Sequence, residues 1–366
     1  MNSETVKRQP APRMASPLDP AIEARLAAAR AGDQLEFGGL TEPYRRELQV
    51  HCYRLLGSLH DAEDLVQETL LRAWRRLDTF EGRASFRAWL YKIATNACLD
   101  ALDRQRPRRA LPQATHPAAN PREPFTPPIP EPIWLEPFPD EWLVEAGANP
   151  EARYTAHESI TLAFLAALQL LPPRQRAVLI LRDVLDWQAR EVADLLGLTV
   201  PAVNSALHRA RVTMAKHYPR GGRENLRATP ADDRTRVLLQ RYVRAWESAD
   251  VAGLTALLKE DAAFTMPPSP SWYRGRAAIG TFVAATIFAD KAAMFPGEGR
   301  GRWRLLPARA NTQPAFAMYQ RDALSGGYRA FGLQVLTLDG NHLAEVANFI
   351  NPALVSLFGR PAELKV

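Results

Sequence analysis

The chain has 366 residues, enough for two or three domains, and its 46% apolar content suffices to fill their cores. Two cysteines, Cys52 and Cys98, exclude a disulfide framework and offer no metal-ligand spacing; both sit in apolar helical patterns and read as small buried hydrophobes. A net charge of +6 favours an anionic partner, while the lack of a signal-peptide core or of any apolar run near membrane-span length predicts a cytoplasmic chain with no membrane role.

Residues 1–19 are polar, contain proline and are predicted to be disordered. Residues 20–106 form a first helical domain, with helices predicted at 20–31, 41–57, 61–77 and 84–105. The third of these opens on Asp61, Glu63 and Asp64, where the helix dipole favours negative charge. Leu65, Thr69, Ala73 and Leu77 are predicted to face inward, and Asp64, Gln67, Glu68 and Arg75 outward. Alone this reads as a well-capped surface helix, though one that also suits docking on a basic partner. Next comes a loop, Phe80 to Phe86, and a helix carrying Arg87, Trp89, Tyr91, Lys92 and Asn96. Aromatic, basic and amide side chains interleaved in this way suit unstacked bases and their phosphates. Leu90, Ile93, Ala94, Ala97 and Leu102 have the spacing of the core stripe, and the Arg104–Arg109 cluster is predicted to be solvated and phosphate-facing.

Between residues 107 and 150 about one residue in four is proline, which rules out a continuous helix and marks a linker. Its segment Ile133 to Leu143 (IWLEPFPDEWL) carries two Trp, a Phe and three carboxylates, too much bulk for a spacer, and is expected to dock. Residues 151–218 form a second helical domain. Within it Ala189, Val192, Ala193 and Leu196 repeat at helical spacing, Gly197 stands where a left-handed cap is needed, and Thr199 can cap the next helix with Pro201 in its first turn. That helix is predicted to bury Val200, Val203, Leu207, Ala210 and Met214 and to expose Asn204, Ser205, His208, Arg209 and Arg211. Helix, glycine turn and polar second helix make a helix-turn-helix, whose second helix fits the DNA major groove.

A second linker, 219–230, leads to a third domain, 231–366. Two helices (231–248 and 251–258) precede strands predicted at Asp261–Met266, Arg302–Pro307, Ala315–Gln320, Tyr328–Thr337 and Leu343–Ile350, with a hairpin turn at Asp339-Gly340-Asn341. The fold class is therefore two all-α domains followed by an α+β domain.

DAEDLVQETLLRAWRR with FRAWLYKIATNACLDALDR resembles region two of an extracytoplasmic-function sigma factor of the sigma-70 family, and LLPPRQRAVLILRDVLDWQAREVADLLGLTVPAVNSALHRAR resembles region four. Together they cover about half the chain, in the family's order. The resemblance implies core RNA polymerase (the clamp of its largest subunit, and its flap) and promoter DNA as partners. Asp61, Glu63, Asp64, Gln67 and Glu68 would then dock on the clamp. Phe80, Gly82, Arg83 and Ser85, with Phe86, Trp89, Lys92 and Asn96 beside them, would capture a flipped base of the minus-ten element. Pro201, Asn204, Ser205, His208, Arg209 and Arg211 would meet the minus-thirty-five element, the amide, hydroxyl and imidazole at base edges and the arginines at phosphates. Asn204 and Ala206 depart from the family, which commonly has Lys and Arg there, so weaker non-specific binding is expected.

The third domain, with Trp272 to Ile279 (WYRGRAAI) opening a helix, resembles the SnoaL-like branch of the NTF2-like cone fold. Cones of this kind host both enzymes and ligand binders, and fold does not choose between them. Asp261, Asp339, His342 and Glu345 are the acid–base candidates, but no pair has compelling spacing, so no catalytic residue, metal or cofactor is expected. The resemblance implies a cone that modulates the sigma domains in cis, with room for a small ligand. An isomerase or hydrolase fused to a DNA-binding module is the alternative, and a stand-alone helix-turn-helix regulator a third.

Overall fold

The computed structural model describes residues 20–82, 84–104, 109–129, 134–143, 160–218, 233–292, 295 and 297–365. Residues 1–19, the 219–230 linker and the predicted helical start at Glu151 lie outside them. Among the described residues, no helix is long and apolar enough to cross a membrane and no cluster of His, Cys, Asp or Glu could hold a metal ion.

The first domain comprises α1 (Pro20–Arg30), α2 (Gln34–Leu56), α3 (Leu59–Arg75) and α4 (Phe86–Asp103). The helix predicted at 41–57 begins earlier, at Gln34. The Asp33 carboxylate caps it, accepting from the backbone N–H of Leu35 and Glu36, and Pro43 is carried inside it. Gly57, with φ of 70°, ends α2, and a Cβ there would lie 2.5 Å from the Leu135 side chain, so both conformation and packing require glycine. On α3, Thr69 and Ala73 are buried as predicted, as is Leu77 in the turn just after it; Leu65 is half-buried, and Val66 and Leu70 complete the face. The predicted α4 stripe holds at Leu90, Ile93, Ala94 and Ala97, with Leu102 half-buried; both cysteines are buried and form no disulfide.

A single turn, α5 (Pro112–Thr115), lies in the linker. The second domain comprises α6 (Leu162–Gln169), α7 (Pro173–Leu179, continued by a π-turn, Ile180–Val184), α8 (Ala189–Leu196) and α9 (Val200–His217). Gly197 takes the left-handed conformation (φ 63°), and the Thr199 hydroxyl accepts from Ala202 N–H at 3.3 Å. Val203, Leu207, Ala210 and Met214 are buried, joined by Ala206. Val200, predicted to be buried, is 39% exposed. Pro201 and Ala202 are exposed with it, so the first turn of α9 lies open to solvent.

The third domain has α10 (Asp233–Glu247), α11 (Val251–Leu257), β1 (Leu258–Thr265), β2 (Trp272–Arg274), α12 (Arg276–Phe282), β3 (Trp303–Ala310), β4 (Gln313–Arg321), β5 (Tyr328–Asp339), β6 (His342–Phe349), α13 (Pro352–Leu357) and β7 (Glu363–Leu364). The sheet runs β2-β1-β6-β5-β4-β3, with β7 also on β5; β1 and β6 are parallel and every other pair is antiparallel. Period-two alternation sends Phe316, Met318, Leu336 and Val346 to the concave face, against α10 and α12. It sends Ala315, Leu333, Val335, Ala347 and Phe349 to the opposite face, where they share one apolar core with both helical domains. Each face of the sheet is therefore covered.

Candidate nucleic-acid interface and the joint that closes on it

The acidic start of α3 divides into two sets. Glu63, Asp64 and Gln67 are exposed, while Glu68 pairs with Arg72 at 2.7 Å. Asp61 turns the other way and meets Arg109 at 2.8 Å. Arg109 also donates to the Trp134 carbonyl at 3.1 Å and lies 3.4 Å from the Glu136 carboxylate, with its side chain only 12% exposed. It is thus a structural tie rather than the solvated, phosphate-facing group expected from its basic run. Two carboxylates in a half-buried site hold a guanidinium more firmly than solvent does.

Of the minus-ten set, Phe80 and Phe86 are core residues, their rings 5.4 Å apart and each within 6 Å of the Trp89 ring. Gly82 takes φ of 72°, the Ser85 hydroxyl caps α4 through Ala88 N–H, and Arg83 lies outside the described residues. Phe80, Gly82, Ser85 and Phe86 build and brace the loop. Trp89 (half-buried), Lys92 and Asn96 (both exposed) form the outward stripe at helical spacing. Lys92 of that stripe faces the second domain, its Nζ reaching the Asp194 carbonyl in α8 at 3.5 Å, and beside it the buried Tyr91 ring lies 5.5 Å from that of Trp187.

On α9, Pro201, Asn204, Ser205, His208 and Arg209 are all exposed. Arg211 is also exposed but holds Asp183 in a bidentate pair (2.7 and 2.9 Å), which raises its already high pKa through that hydrogen bond. The docking segment lies on this chain itself. Trp134, Leu135, Phe138 and Leu143 are buried, and the Glu136 carboxylate accepts from the N-terminal turn of α3 at Leu59 N–H, 2.8 Å.

Two polar residues that no spacing singled out close the joint. Asn311 sits in the β3–β4 turn with φ of 54°. Its amide nitrogen donates to the Tyr53 hydroxyl in α2 (2.9 Å) and to the Ile160 carbonyl ahead of α6 (2.7 Å), and its oxygen accepts from Phe138 N–H in the linker (2.8 Å). Burial pushes the Tyr53 hydroxyl well above its usual range, so it stays neutral and donates to the Glu136 carbonyl. Arg176 of α7, fully buried, donates across to the Leu55 carbonyl at the end of α2. An Asn between two predicted strands, a residue type that tolerates the left-handed backbone found there, was the available signal for Asn311; Arg176 offered none.

The acid–base candidates of the third domain do not line the concave chamber. Asp261 and His342 are exposed, and Asp339 pairs with Lys259. Glu345 lies on the opposite face, where burial raises its pKa and Gln113 of the linker donates to it at 2.8 Å. A neutral buried relay instead reaches the chamber at Asn348. Tyr242 donates to Gln334 (3.0 Å), Gln334 to Asn348 (2.8 Å), and Asn348 to the Thr265 carbonyl (3.0 Å).

Three families match the chain: Sigma-70 region 2 over residues 40–108, Sigma-70 region 4 over 161–214, and the SnoaL-like domain over 239–345. The ECF RNA polymerase sigma factor SigG of Mycobacterium tuberculosis is 44% identical over 92% of this chain and 86% of its own length. SigW of Bacillus subtilis is 27% identical over 53% of this chain and 95% of its own. The crystal structure of the M. tuberculosis extracytoplasmic function sigma factor SigJ aligns with a TM-score of 0.54 at 23% identity, covering 87% of this chain and 97% of that one, and shares its fold.

Proposed function

The chain belongs to the extracytoplasmic-function RNA polymerase sigma factors, and from that premise we propose that it exists in a closed form, restrained in cis by its SnoaL-like domain, which must open before it can act. Its function is promoter-specific transcription initiation. In our reading the clamp of the polymerase's largest subunit takes the exposed Glu63, Asp64 and Gln67 of α3, and the flap takes the second domain. Arg83, Trp89, Lys92 and Asn96 serve the minus-ten strand, with Gly82 and Ser85 shaping the loop. Asn204, Ser205 and His208 read minus-thirty-five bases from the first half of α9, with Pro201 and Arg209 along the backbone; Arg211 joins them once released from Asp183. No membrane or metal enters this scheme.

The observation that carries the restraint is Asn311. One side chain of the third domain binds the first domain, the linker and the start of the second. In the same arrangement Lys92 faces α8 and Asp61 is held by Arg109. The two DNA-reading surfaces cannot separate while that joint holds.

Reconstituted transcription with bacterial core polymerase and a promoter library tests this. The full chain should yield start-site-specific RNA, and Asn311→Leu, which removes three buried hydrogen bonds at about 0.5–1.5 kcal/mol each, should raise the yield at least fivefold. A lower yield from Asn311→Leu would mean that the third domain assists rather than restrains. No specific RNA from either form, despite duplex binding by the chain alone, would favour the stand-alone regulator. On a responsive promoter, Asn204→Ala and His208→Ala should each cost about 1–3 kcal/mol of binding. Arg209→Ala should instead weaken all sequences alike and flatten the salt dependence.

A further inference from the structure

The linker crosses the open mouth of the cone as a strap and places one aromatic ring inside it. Ala119 N–H donates to the Trp272 carbonyl (2.8 Å), the Trp272 indole to the His116 carbonyl (2.8 Å), Ser269 to the Thr126 carbonyl (2.8 Å), and Ile129 N–H to the Pro268 carbonyl (3.2 Å). Between these ties Phe125 enters the chamber and stacks on Phe282 at 6.2 Å. The chamber has about 370 Å3 of space including its mouth, and its walls include Trp246, Trp303, Met318 and Phe331. With Phe125 in place the enclosed room is only about 30 Å3, far below that of a small-molecule site, so a ligand enters only if the ring leaves.

The walls define what fits. Among the described residues no charged side chain lines the chamber, so an ion entering would lose its hydration without a counter-charge. The polar lining is Thr286, whose hydroxyl is taken by the Phe282 carbonyl, and Asn348. Each half of the Asn348 amide has one bond within the relay, leaving one N–H and one lone pair. The Trp246 indole N–H, 1% exposed as a residue, approaches the Tyr242 hydroxyl without reaching hydrogen-bond geometry. The site thus suits an uncharged, aromatic-sized molecule bearing one hydrogen-bonding group, and a benzyl group of the chain itself already occupies its entrance.

We propose that such a ligand and Phe125 compete for the chamber, so that binding lifts the strap joining the two sigma domains. The inference rests on the reading of the third domain as a restraint in cis. The strap that would move is continuous with Arg109 and Gln113, which hold Asp61 on α3 and Glu345 on β6. Ligand occupancy is thereby coupled to the joint without touching either DNA-reading surface.

N-phenyl-1-naphthylamine, an uncharged diaryl amine that fluoresces in apolar sites, serves as the probe on the full chain. Phe125→Ala should bind it at least tenfold more tightly than the parent, and Ile350→Trp, at the half-buried rim, should reverse that gain. In the unaltered chain, saturating probe should speed tryptic cleavage after the exposed Arg122 several-fold. Equal probe affinity in the parent and Phe125→Ala, or unchanged cleavage at Arg122 under saturating probe, overturns the proposal. Polymerase is absent from both assays, so their failure leaves the sigma assignment intact. A failure of the transcription test leaves the chamber result standing.

Discussion

Arg176→Ala is expected to destabilise the unit formed by the two helical domains by about 3–5 kcal/mol, because four buried neutral oxygens lose a charged donor and each group left unsatisfied costs about 1–3 kcal/mol before relaxation. Arg176 is 1% exposed and sits between the domains. Its guanidinium donates to the Gln169 side-chain oxygen (2.6 Å), the Gln169 and Leu171 carbonyls (3.1 Å each) and, across the interface, the Leu55 carbonyl. Truncation leaves those oxygens buried without their donor and opens a cavity beside α2. Calorimetry of the full chain should show the transition of this unit lowered by about 10 °C, given roughly 2–4 °C per kcal/mol for a unit of this size. Arg176→Lys keeps the charge but not the planar fork, and should recover only part of the loss. A melting curve for Arg176→Ala within 1 °C of the parent would show that the interface does not depend on this residue.

The second large effect is a pH dependence centred on His51. The ring is fully buried on α2, with Nε2 2.9 Å from the Thr95 hydroxyl. That hydroxyl donates its own proton to the Tyr91 carbonyl at 2.7 Å, so the network assigns the imidazole proton to Nε2 and leaves Nδ1 an unpartnered acceptor. Burial, and then the positive charges of Arg54 and Arg87, lower the His51 pKa from 6.5 to about 3. Between those values the unfolded chain binds a proton that the folded chain does not. This stabilisation is fully present above pH 6.5 and is lost as pH falls through the window toward 3. The slope from this one group approaches about 1.4 kcal/mol per pH unit. His51→Gln, which keeps a donor for Thr95 and cannot charge, should have a correspondingly flatter profile between pH 6 and 4 in urea denaturation. Parallel profiles would show that His51 does not carry the acid sensitivity.

Much of this architecture was legible from local pattern. Helical periodicity located α3, α4, α8 and α9 to within a few residues, and Gly197 and Thr199 marked the turn between the last two because a left-handed cap and an N-cap each demand particular residue types. Alternation located the five long strands, and the bulk of Trp134, Leu135 and Phe138 marked a docking segment. The start of α2 was missed because a single Asp33 cap outweighed the breaking tendency of two glycines and a proline.

The function class was determined by the sequence itself, since two family motifs in order require only residue identity and spacing, and so was the exposure of Asn204, Ser205, His208 and Arg209. Whether an aromatic or charged residue meets a partner or its own chain was decided by the tertiary structure alone. Phe80 and Phe86 went to the core, Arg109 to Asp61 and Glu136, and Asn311 to a site shared by three segments. The bond from Asn311 to Tyr53 spans 258 positions. A hydrogen bond that long in sequence leaves no periodic trace, because its geometry comes from how whole domains pack and not from the residues on either side of it.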